Sequence, residues 1–312
     1  MRIDEVHRVL IVGAGSMGQQ IGLQCASHGY TVVLYDIAPK MLDNATTNIK
    51  AYATQFVAEG FLTPADANAT LSRITMTSQP EEAADQADLI SECVPEDPEL
   101  KGRVFAQFNR LCSPRTVFTT NTSTLLPSMF AKATGRPAQF AALHFHKTVW
   151  VSNVVDIMPH PHTSEETITL LLDFAKRIGQ IPILLKKEKS SYVFNSMFNA
   201  INREAMALVV DGFASVEDVD RAWMGIMKMP IGPFGMLDDV GLDTAWHITN
   251  FWAKALHLSE LQRHADFLKQ YVDKGKLGVK SGQGFYTYPN PAFQRPGFVE
   301  GTERGKQNGI RN

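Results

Sequence analysis

The sequence predicts an α/β fold, in which a doubly wound parallel sheet is followed by a mainly α-helical C-terminal domain. Over the first half of the chain, short apolar runs typical of strands alternate with helical patterns. A glycine-rich turn joins the first of these runs to the first helical stretch, and from Ser190 onward the pattern is mainly helical. Strands that alternate with helices favour a parallel sheet whose strands are joined by crossover helices.

Each element follows from a local pattern. Strands are predicted where short apolar or β-branched runs occur, at residues 9–12, 31–35, 74–77, 89–93, 117–119, 141–145, 154–158 and 181–185. Helices are predicted at residues 17–28, 40–59, 98–112 and 163–178, with one more beginning around Pro64. The capping box at residues 163–166 opens the fourth of these, and Ser215 with Asp218 opens a later helix. Residues 141–145 and 154–158 are expected to pair as antiparallel strands.

The length of 312 residues fits two domains. A polar, charged run at residues 186–190 replaces the apolar alternation and marks the expected boundary. We therefore expect a nucleotide-binding domain at residues 1–187 and a helical domain for substrate binding and dimerisation at residues 188–312.

Composition excludes several classes of function. Hydrophobic residues make up 44% and charged residues 20%, as in soluble globular proteins. A net charge of -2 argues against a nucleic-acid partner, and no apolar stretch is long enough to cross a membrane. The three cysteines, Cys25, Cys93 and Cys112, have neither disulfide nor metal-ligand spacing. We expect a cytoplasmic protein with reduced thiols.

The glycine-rich turn has the pattern of a Rossmann-type dinucleotide site. Its residues are Gly13, Ala14, Gly15, Ser16, Met17 and Gly18. Gly13 permits the tight turn, Gly15 lets the pyrophosphate approach, and Gly18 lets the helix pack against the sheet. The helix N-terminus attracts phosphate. Asp36 ends the next strand and can bind ribose hydroxyls, whereas it would repel a 2′-phosphate. The predicted cofactor is NAD rather than NADP, and FAD usually needs more chain.

A hydride-transfer enzyme needs a group that takes the hydroxyl proton, and histidine suits neutral pH. If the strands at 141–145 and 154–158 pair across a loop near Trp150, His144 and Asp156 lie directly opposite each other. The carboxylate would orient the imidazole. A core histidine bonded to a backbone carbonyl is the alternative. His146 would face the same side as His144, but without an evident third ligand we predict no metal site.

At this point the sequence resembles the L-3-hydroxyacyl-CoA dehydrogenases and the related lambda-crystallin/L-gulonate 3-dehydrogenase branch, from about Val9 to Tyr288. The resemblance is carried by motifs in the same order along the chain, at residues 13–18, 92–97, 121–124, 143–145, 192–195, 230–234, 240–244 and 280–286.

The resemblance implies roles for individual residues. It makes His144 the catalytic acid/base, with Asp156 at the position of the glutamate that usually pairs with it. It makes Ser123 and Asn195 contacts of the reacting oxygen. The residues it places near the cofactor are Glu96, Lys101 and Asn121. It also implies a homodimer through the C-terminal domain and a place in fatty acid metabolism.

The sequence departs from the family at three points. The family's histidine motif usually continues Phe-Phe-Asn-Pro, whereas Phe145-His146-Lys147-Thr148 follows here. The pairing glutamate is a shorter aspartate. Residues 41–60, where the family carries cations that meet the CoA nucleotide, contain only Lys50 as a basic residue. Lys147 is either a solvated loop residue or the partner of a substrate carboxylate.

These observations favour an NAD-dependent L-3-hydroxyacyl-CoA dehydrogenase, with 3-hydroxybutyryl-CoA as a short-chain substrate. The first alternative is an NAD-dependent dehydrogenase of a free hydroxy acid or small alcohol, such as L-gulonate or carnitine. The second is a non-catalytic NAD(H)-binding protein. The presence of Ser123, His144, Asp156 and Asn195 together argues against this second alternative.

Overall fold

The computed structural model describes residues 1–302 and divides into two compact units. The first is Met1–Phe194, and the second begins at Asn195. This division falls seven residues after the boundary expected from the charged run at 186–190. The two units are described separately.

The first unit is built on one eight-stranded sheet with the order β3-β2-β1-β4-β5-β6-β7-β8. The strands are β1 (Arg8–Val12), β2 (Thr31–Tyr35), β3 (Ile74–Thr77), β4 (Leu89–Glu92), β5 (Val117–Thr120), β6 (Phe140–Phe145), β7 (Val154–Pro159) and β8 (Ile181–Leu184). Every neighbouring pair is parallel except β6 and β7, which are antiparallel. The Rossmann-type prediction is therefore confirmed, as is the expected antiparallel pair.

Six helices belong to the first unit. They are α1 (Ser16–Ser27), α2 (Pro39–Ala58), α3 (Pro64–Ser72), α4 (Pro80–Ala84), α5 (Pro98–Leu111) and α6 (Glu165–Arg177). The short α4 has no counterpart in the sequence prediction. The capping prediction for α6 is wrong by one residue. Ser164 accepts the cap hydrogen bond from the N–H of Thr167, while the Thr163 hydroxyl donates to the carbonyl of Phe140.

The central strands are buried, which explains why their sequences are short apolar runs. In β4, β5 and β6 every residue is buried, because helices cover both faces of a parallel sheet. Two apolar clusters lie on the two faces. One of them stacks the Phe105 ring against Phe118 and Phe130. The sheet is a rigid frame whose carboxyl edge carries the loops described below.

The second unit is mainly helical, as predicted. Its helices are α7 (Phe194–Val210), which begins at the last residue of the first unit, then α8 (Val216–Met227), α9 (Pro233–Val240), α10 (Leu242–Leu256) and α11 (Ser259–Val272). Ser215 caps α8 by accepting from the N–H of Asp218, as the sequence indicates. Within residues 1–302, no helix is both long enough and apolar enough to cross a bilayer.

Asp220, on α8, is buried and holds three parts of the second unit together. Its carboxylate accepts hydrogen bonds from the N–H groups of Phe234 and Gly235, at 2.8 and 3.0 Å, and from the Tyr286 hydroxyl at 2.9 Å. Phe234 and Gly235 lie in the first turn of α9. The carboxylate thus supplies the acceptors that the start of this helix lacks.

We expect Asp220→Ala to destabilise the second unit by about 3 kcal/mol, because three buried donors lose their acceptor. Asp273→Ala is the matched control, since Asp273 makes an exposed ion pair with Lys269 worth less than about 1 kcal/mol. Denaturant midpoints followed by tryptophan fluorescence measure both. Equal midpoints for the two variants would contradict this role of Asp220.

Candidate active site

The geometry of the glycine turn meets each requirement of a dinucleotide site. Gly13 has φ +110°, and a Cβ there would lie 2.7 Å from the Cys93 carbonyl oxygen. A Cβ on Gly18 would lie 1.9 Å from the Gly13 carbonyl oxygen, so only glycine lets α1 start this close to β1. A Cβ on Gly15 would meet open space, which leaves room for a ligand to approach the backbone. Ser16 and Met17 form the first turn of α1, whose N–H groups attract phosphate.

Asp36 is fixed beside this turn by two backbone hydrogen bonds. One carboxylate oxygen accepts from the N–H of Ala14 and the other from the N–H of Ala38, both at 2.9 Å. A carboxylate held at the end of β2 suits a ribose diol. The turn, the helix start and Asp36 together fit NAD.

A cleft of about 360 Å³ lies between the glycine turn and α2. It is lined by Gly15, Ser16, Gln19, Met41, Asn44, Thr47, Asn48 and Tyr52. All of these described lining residues are uncharged. The cleft can donate and accept hydrogen bonds, but it offers a polyphosphate no cation.

His144 stands at the carboxyl edge of the sheet, near the end of β6. The register of β6 and β7 pairs it directly with Asp156, as the sequence predicts. Its Nδ1 lies 3.3 Å from Asp156 Oδ2, and its Nε2 lies 3.1 Å from the Ser123 hydroxyl oxygen. Both His144 and Asp156 are buried. The imidazole therefore bridges a carboxylate on one side and a hydroxyl on the other.

His146 joins this cluster from just beyond the end of β6. Its Nε2 lies 3.2 Å from the same Asp156 oxygen that His144 contacts. Asp156 thus places a third group of metal-ligating type beside the two imidazoles. Both nitrogens lie at hydrogen-bond distance from one oxygen, the arrangement of two N–H donors on a carboxylate.

Burial and hydrogen bonding set the protonation states of this cluster. Burial lowers the pKa of His144 below its usual value, although the hydrogen bond with Asp156 acts in the opposite direction. Burial also opposes ionisation of Asp156, but hydrogen bonds from His144 and His146 outweigh it, so the pKa of Asp156 lies below its usual range. At neutral pH the cluster therefore holds an ionised carboxylate next to a neutral His144.

The Tyr192 ring covers one face of His144, a contact that the sequence analysis does not predict. The ring centroids are 4.4 Å apart and the planes differ by 13°. Tyr192 and its neighbour Ser191 both have positive φ, at +51° and +69°. This backbone conformation turns the tyrosine onto the imidazole, and single-sequence patterns do not reveal it.

Ser123 is positioned by Glu96. One Glu96 carboxylate oxygen accepts from the N–H groups of Ser123 and Thr124, both at 3.0 Å, and from the hydroxyls of Thr122 and Thr124. These hydrogen bonds outweigh the effect of burial and hold the pKa of Glu96 below its usual value. The loop after β5 is thereby fixed with its serine toward His144.

Lys101, which the resemblance places near the cofactor, is buried near the start of α5. Its side chain is 1% exposed, and Nζ lies 2.7 Å from Glu92, 3.1 Å from the Val94 carbonyl and 3.4 Å from Glu96. It forms ion pairs with two carboxylates, those of Glu92 at the end of β4 and of Glu96 in the loop that follows. In this structure Lys101 supports the loop that carries Glu96.

Asn121 links the ends of β5 and β6, because its amide oxygen accepts from the N–H of Phe145 at 2.8 Å.

The loop after β6, at residues 146–149, departs from the family pattern and is held by hydrogen bonds to α1. Gln20 on α1 accepts from the N–H groups of Thr148 and Val149, at 2.8 and 3.2 Å. Lys147 between them and the strand is exposed.

Asn195 is the remaining residue that the resemblance assigns to the site. It lies in the first turn of α7, in the second unit. The first unit alone therefore brings together His144, Asp156 and Ser123, and it adds His146 and Tyr192, which the sequence analysis did not assign to the site.

Comparison with known proteins finds family matches to both parts of the chain. Residues 8–189 match the family described as 3-hydroxyacyl-CoA dehydrogenase, NAD binding domain, and residues 192–288 match its C-terminal domain. The chain is 32% identical over 288 residues to human hydroxyacyl-coenzyme A dehydrogenase, mitochondrial, covering 91% of each chain. It is 31% identical over 284 residues to a probable 3-hydroxybutyryl-CoA dehydrogenase of Bacillus subtilis, covering 91% of this chain and 98% of that protein.

Among solved structures, a diketoreductase described as acting on dicarbonyl compounds superposes with a TM-score of 0.85. It is 38% identical, and the match covers 91% of this chain and 99% of that one. The matched nucleotide-binding domain identifies NAD as the cofactor of the first unit. Both parts of the family match in order and together span most of the sequence, so the chain belongs to the 3-hydroxyacyl-CoA dehydrogenase family.

Proposed function

We propose that the protein is an NAD-dependent L-3-hydroxyacyl-CoA dehydrogenase in which His144 is the catalytic acid/base. The observation that carries this proposal is the position of His144 between Ser123 and Asp156, at the sheet edge that also carries the glycine turn. Bound NAD supplies the hydride acceptor. Short-chain 3-hydroxybutyryl-CoA is the substrate we propose first.

In the oxidative direction His144 takes the proton of the substrate hydroxyl. Asp156 binds Nδ1–H, so Nε2 is the unprotonated ring nitrogen that can accept that proton. Because burial keeps the pKa of His144 low, the base is neutral at pH 7. As the imidazole takes the proton, the Asp156 carboxylate stabilises the charge that develops on it.

In the reductive direction the imidazolium returns its proton to the forming alkoxide. Ser123 lies within hydrogen-bond distance of Nε2, so its hydroxyl can donate to a reacting oxygen bound beside Nε2 and stabilise partial charge on it. Glu96 holds the serine through backbone hydrogen bonds. The assignment of Asn195 to the same oxygen rests on the family resemblance.

We expect His144→Ala to lower kcat at least about 10³-fold, because the proton acceptor is lost. The Kd for NADH, measured by its fluorescence, should remain within about twofold of the wild-type value, because the variant does not change the glycine turn. His162→Ala, at an exposed histidine, is the control and should keep wild-type turnover. Turnover that survives His144→Ala would show that another group moves the proton.

A second candidate function is an NAD-dependent dehydrogenase whose substrate lacks CoA. Two observations favour it. The cleft between the glycine turn and α2 is lined by uncharged residues, and residues 41–60 contain Lys50 as their only basic residue. The diketoreductase, at 38% identity, is described as acting on dicarbonyl compounds. Free hydroxy acids, including the L-gulonate and carnitine types, and small diketones belong to this candidate.

A substrate panel separates the two candidates. If the first is right, NADH oxidation with acetoacetyl-CoA should exceed that with free acetoacetate or a small diketone by at least about 100-fold in kcat/KM, since the nucleotide tail adds binding energy. Lys147→Ala should then leave both substrates nearly unaffected. If instead the wild-type protein has the higher kcat/KM with the free acid, and Lys147→Ala loses this preference, the result supports a carboxylate substrate bound by this lysine.

The second unit exposes apolar side chains that fit a homodimer interface. Ile248, Phe251, Trp252 and Leu256 form one stripe along α10, and Phe251 is 62% exposed. We expect the wild-type protein to be a dimer by light scattering and Phe251→Glu to shift it toward monomer. Phe213→Glu, at an exposed phenylalanine outside α10, is the control. A wild-type monomer at micromolar concentration would overturn the dimer.

We also propose a cytoplasmic location. All three cysteines, Cys25, Cys93 and Cys112, are free thiols, which suits a reducing compartment. Cell fractionation tests this assignment, and recovery of the protein from an oxidising compartment would exclude it.

A further inference from the structure

We propose that His146 is a positioning residue that sets the acid–base strength of His144 through their shared contact with Asp156. This inference rests on the proposed function, because it concerns the same proton transfer. Family resemblance does not supply it, since the family's motif usually has phenylalanine where His146 stands.

The geometry places two donors on one acceptor. His144 Nδ1 and His146 Nε2 lie 3.3 and 3.2 Å from the same oxygen, Asp156 Oδ2. An ionised carboxylate accepts only, so both nitrogens must carry hydrogen. This fixes the tautomer of His144 with its Nε2 lone pair toward Ser123. As a result, one carboxylate oxygen accepts hydrogen bonds from both imidazoles.

The fold holds His146 in this position. Its ring packs edge-on against His144, with centroids 4.8 Å apart, and against Phe194, with centroids 5.7 Å apart. The following loop is fixed by the two hydrogen bonds that Gln20 accepts, and Thr148 there has φ +61°. A side chain confined on both sides costs little further entropy when it binds the carboxylate.

The charges around His144 decide the direction of the effect. Within the first unit, Asp156 and Glu96 favour its protonated form, whereas burial and His146 disfavour it. Tyr192 and Ser123 contact the ring as uncharged groups. His146 takes up part of the carboxylate that would otherwise stabilise the imidazolium. Its presence therefore lowers the pKa of His144 and keeps the base neutral to lower pH.

The test replaces His146 by phenylalanine, which keeps an aromatic ring at this position but cannot donate a hydrogen bond to Asp156. With His146→Phe, the acid limb of kcat/KM for alcohol oxidation should move to higher pH by about 0.5 to 1 unit, because Asp156 then serves His144 alone. His146→Gln, whose amide can still donate, should return the limb close to the wild-type position. His162→Phe is the matched control and should leave it unchanged.

A second readout does not depend on turnover. The pKa of His144, followed by NMR of the imidazole protons, should rise in His146→Phe by the same amount. If no hydroxy substrate is oxidised, the proposed function fails while this titration still tests the inference. A rate that falls equally at every pH, with an unmoved pKa, would give His146 a structural role only and overturn the proposal. His146→Leu replaces the phenylalanine variant if that does not fold.

Discussion

The register between β6 and β7 is the constraint on which the catalytic cluster depends. These two strands are the one antiparallel pair in the described sheet, and their ladder places His144 opposite Asp156. Because side chains alternate along a strand, a shift of one residue would turn Asp156 to the other face of the sheet. The parallel half fixes β6 in turn, since β5 pairs with it and Asn121 binds the N–H of Phe145.

A second set of interactions fixes the opposite side of the imidazole. Glu92 and Lys101 form a buried ion pair at the end of β4, and Lys101 also lies near Glu96. Such a pair is costly to bury and adds stability only where its remaining hydrogen-bonding groups are satisfied. Here the Thr120 hydroxyl and the Val94 N–H donate to Glu92, and the Val94 carbonyl accepts from Lys101. Lys101 thereby also helps to hold Glu96, which accepts from the N–H of Ser123. The hydroxyl of this serine lies 3.1 Å from Nε2 of His144.

Sequence reasoning found what local patterns encode. The glycine turn, Asp36 and the pairing of His144 with Asp156 follow from spacing and alternation, and the structure agrees with each. It did not find contacts that depend on backbone conformation or on burial. The stacking of Tyr192 on His144 accompanies positive φ at residues 191 and 192. The burial of Lys101 beside Glu92 is likewise not evident from the sequence. Both facts arise from tertiary packing, which a single sequence does not display.

The departures from the family pattern are linked physically. An aspartate is one methylene shorter than the usual glutamate, yet the directly opposed strand positions bring its oxygen within 3.3 Å of Nδ1. That same short carboxylate is contacted by His146, two residues after His144, where the family usually has phenylalanine. An acceptor shared between two imidazoles holds each less strongly than an undivided one. The two substitutions thus act on one quantity, the proton affinity of His144, and they act through one oxygen atom.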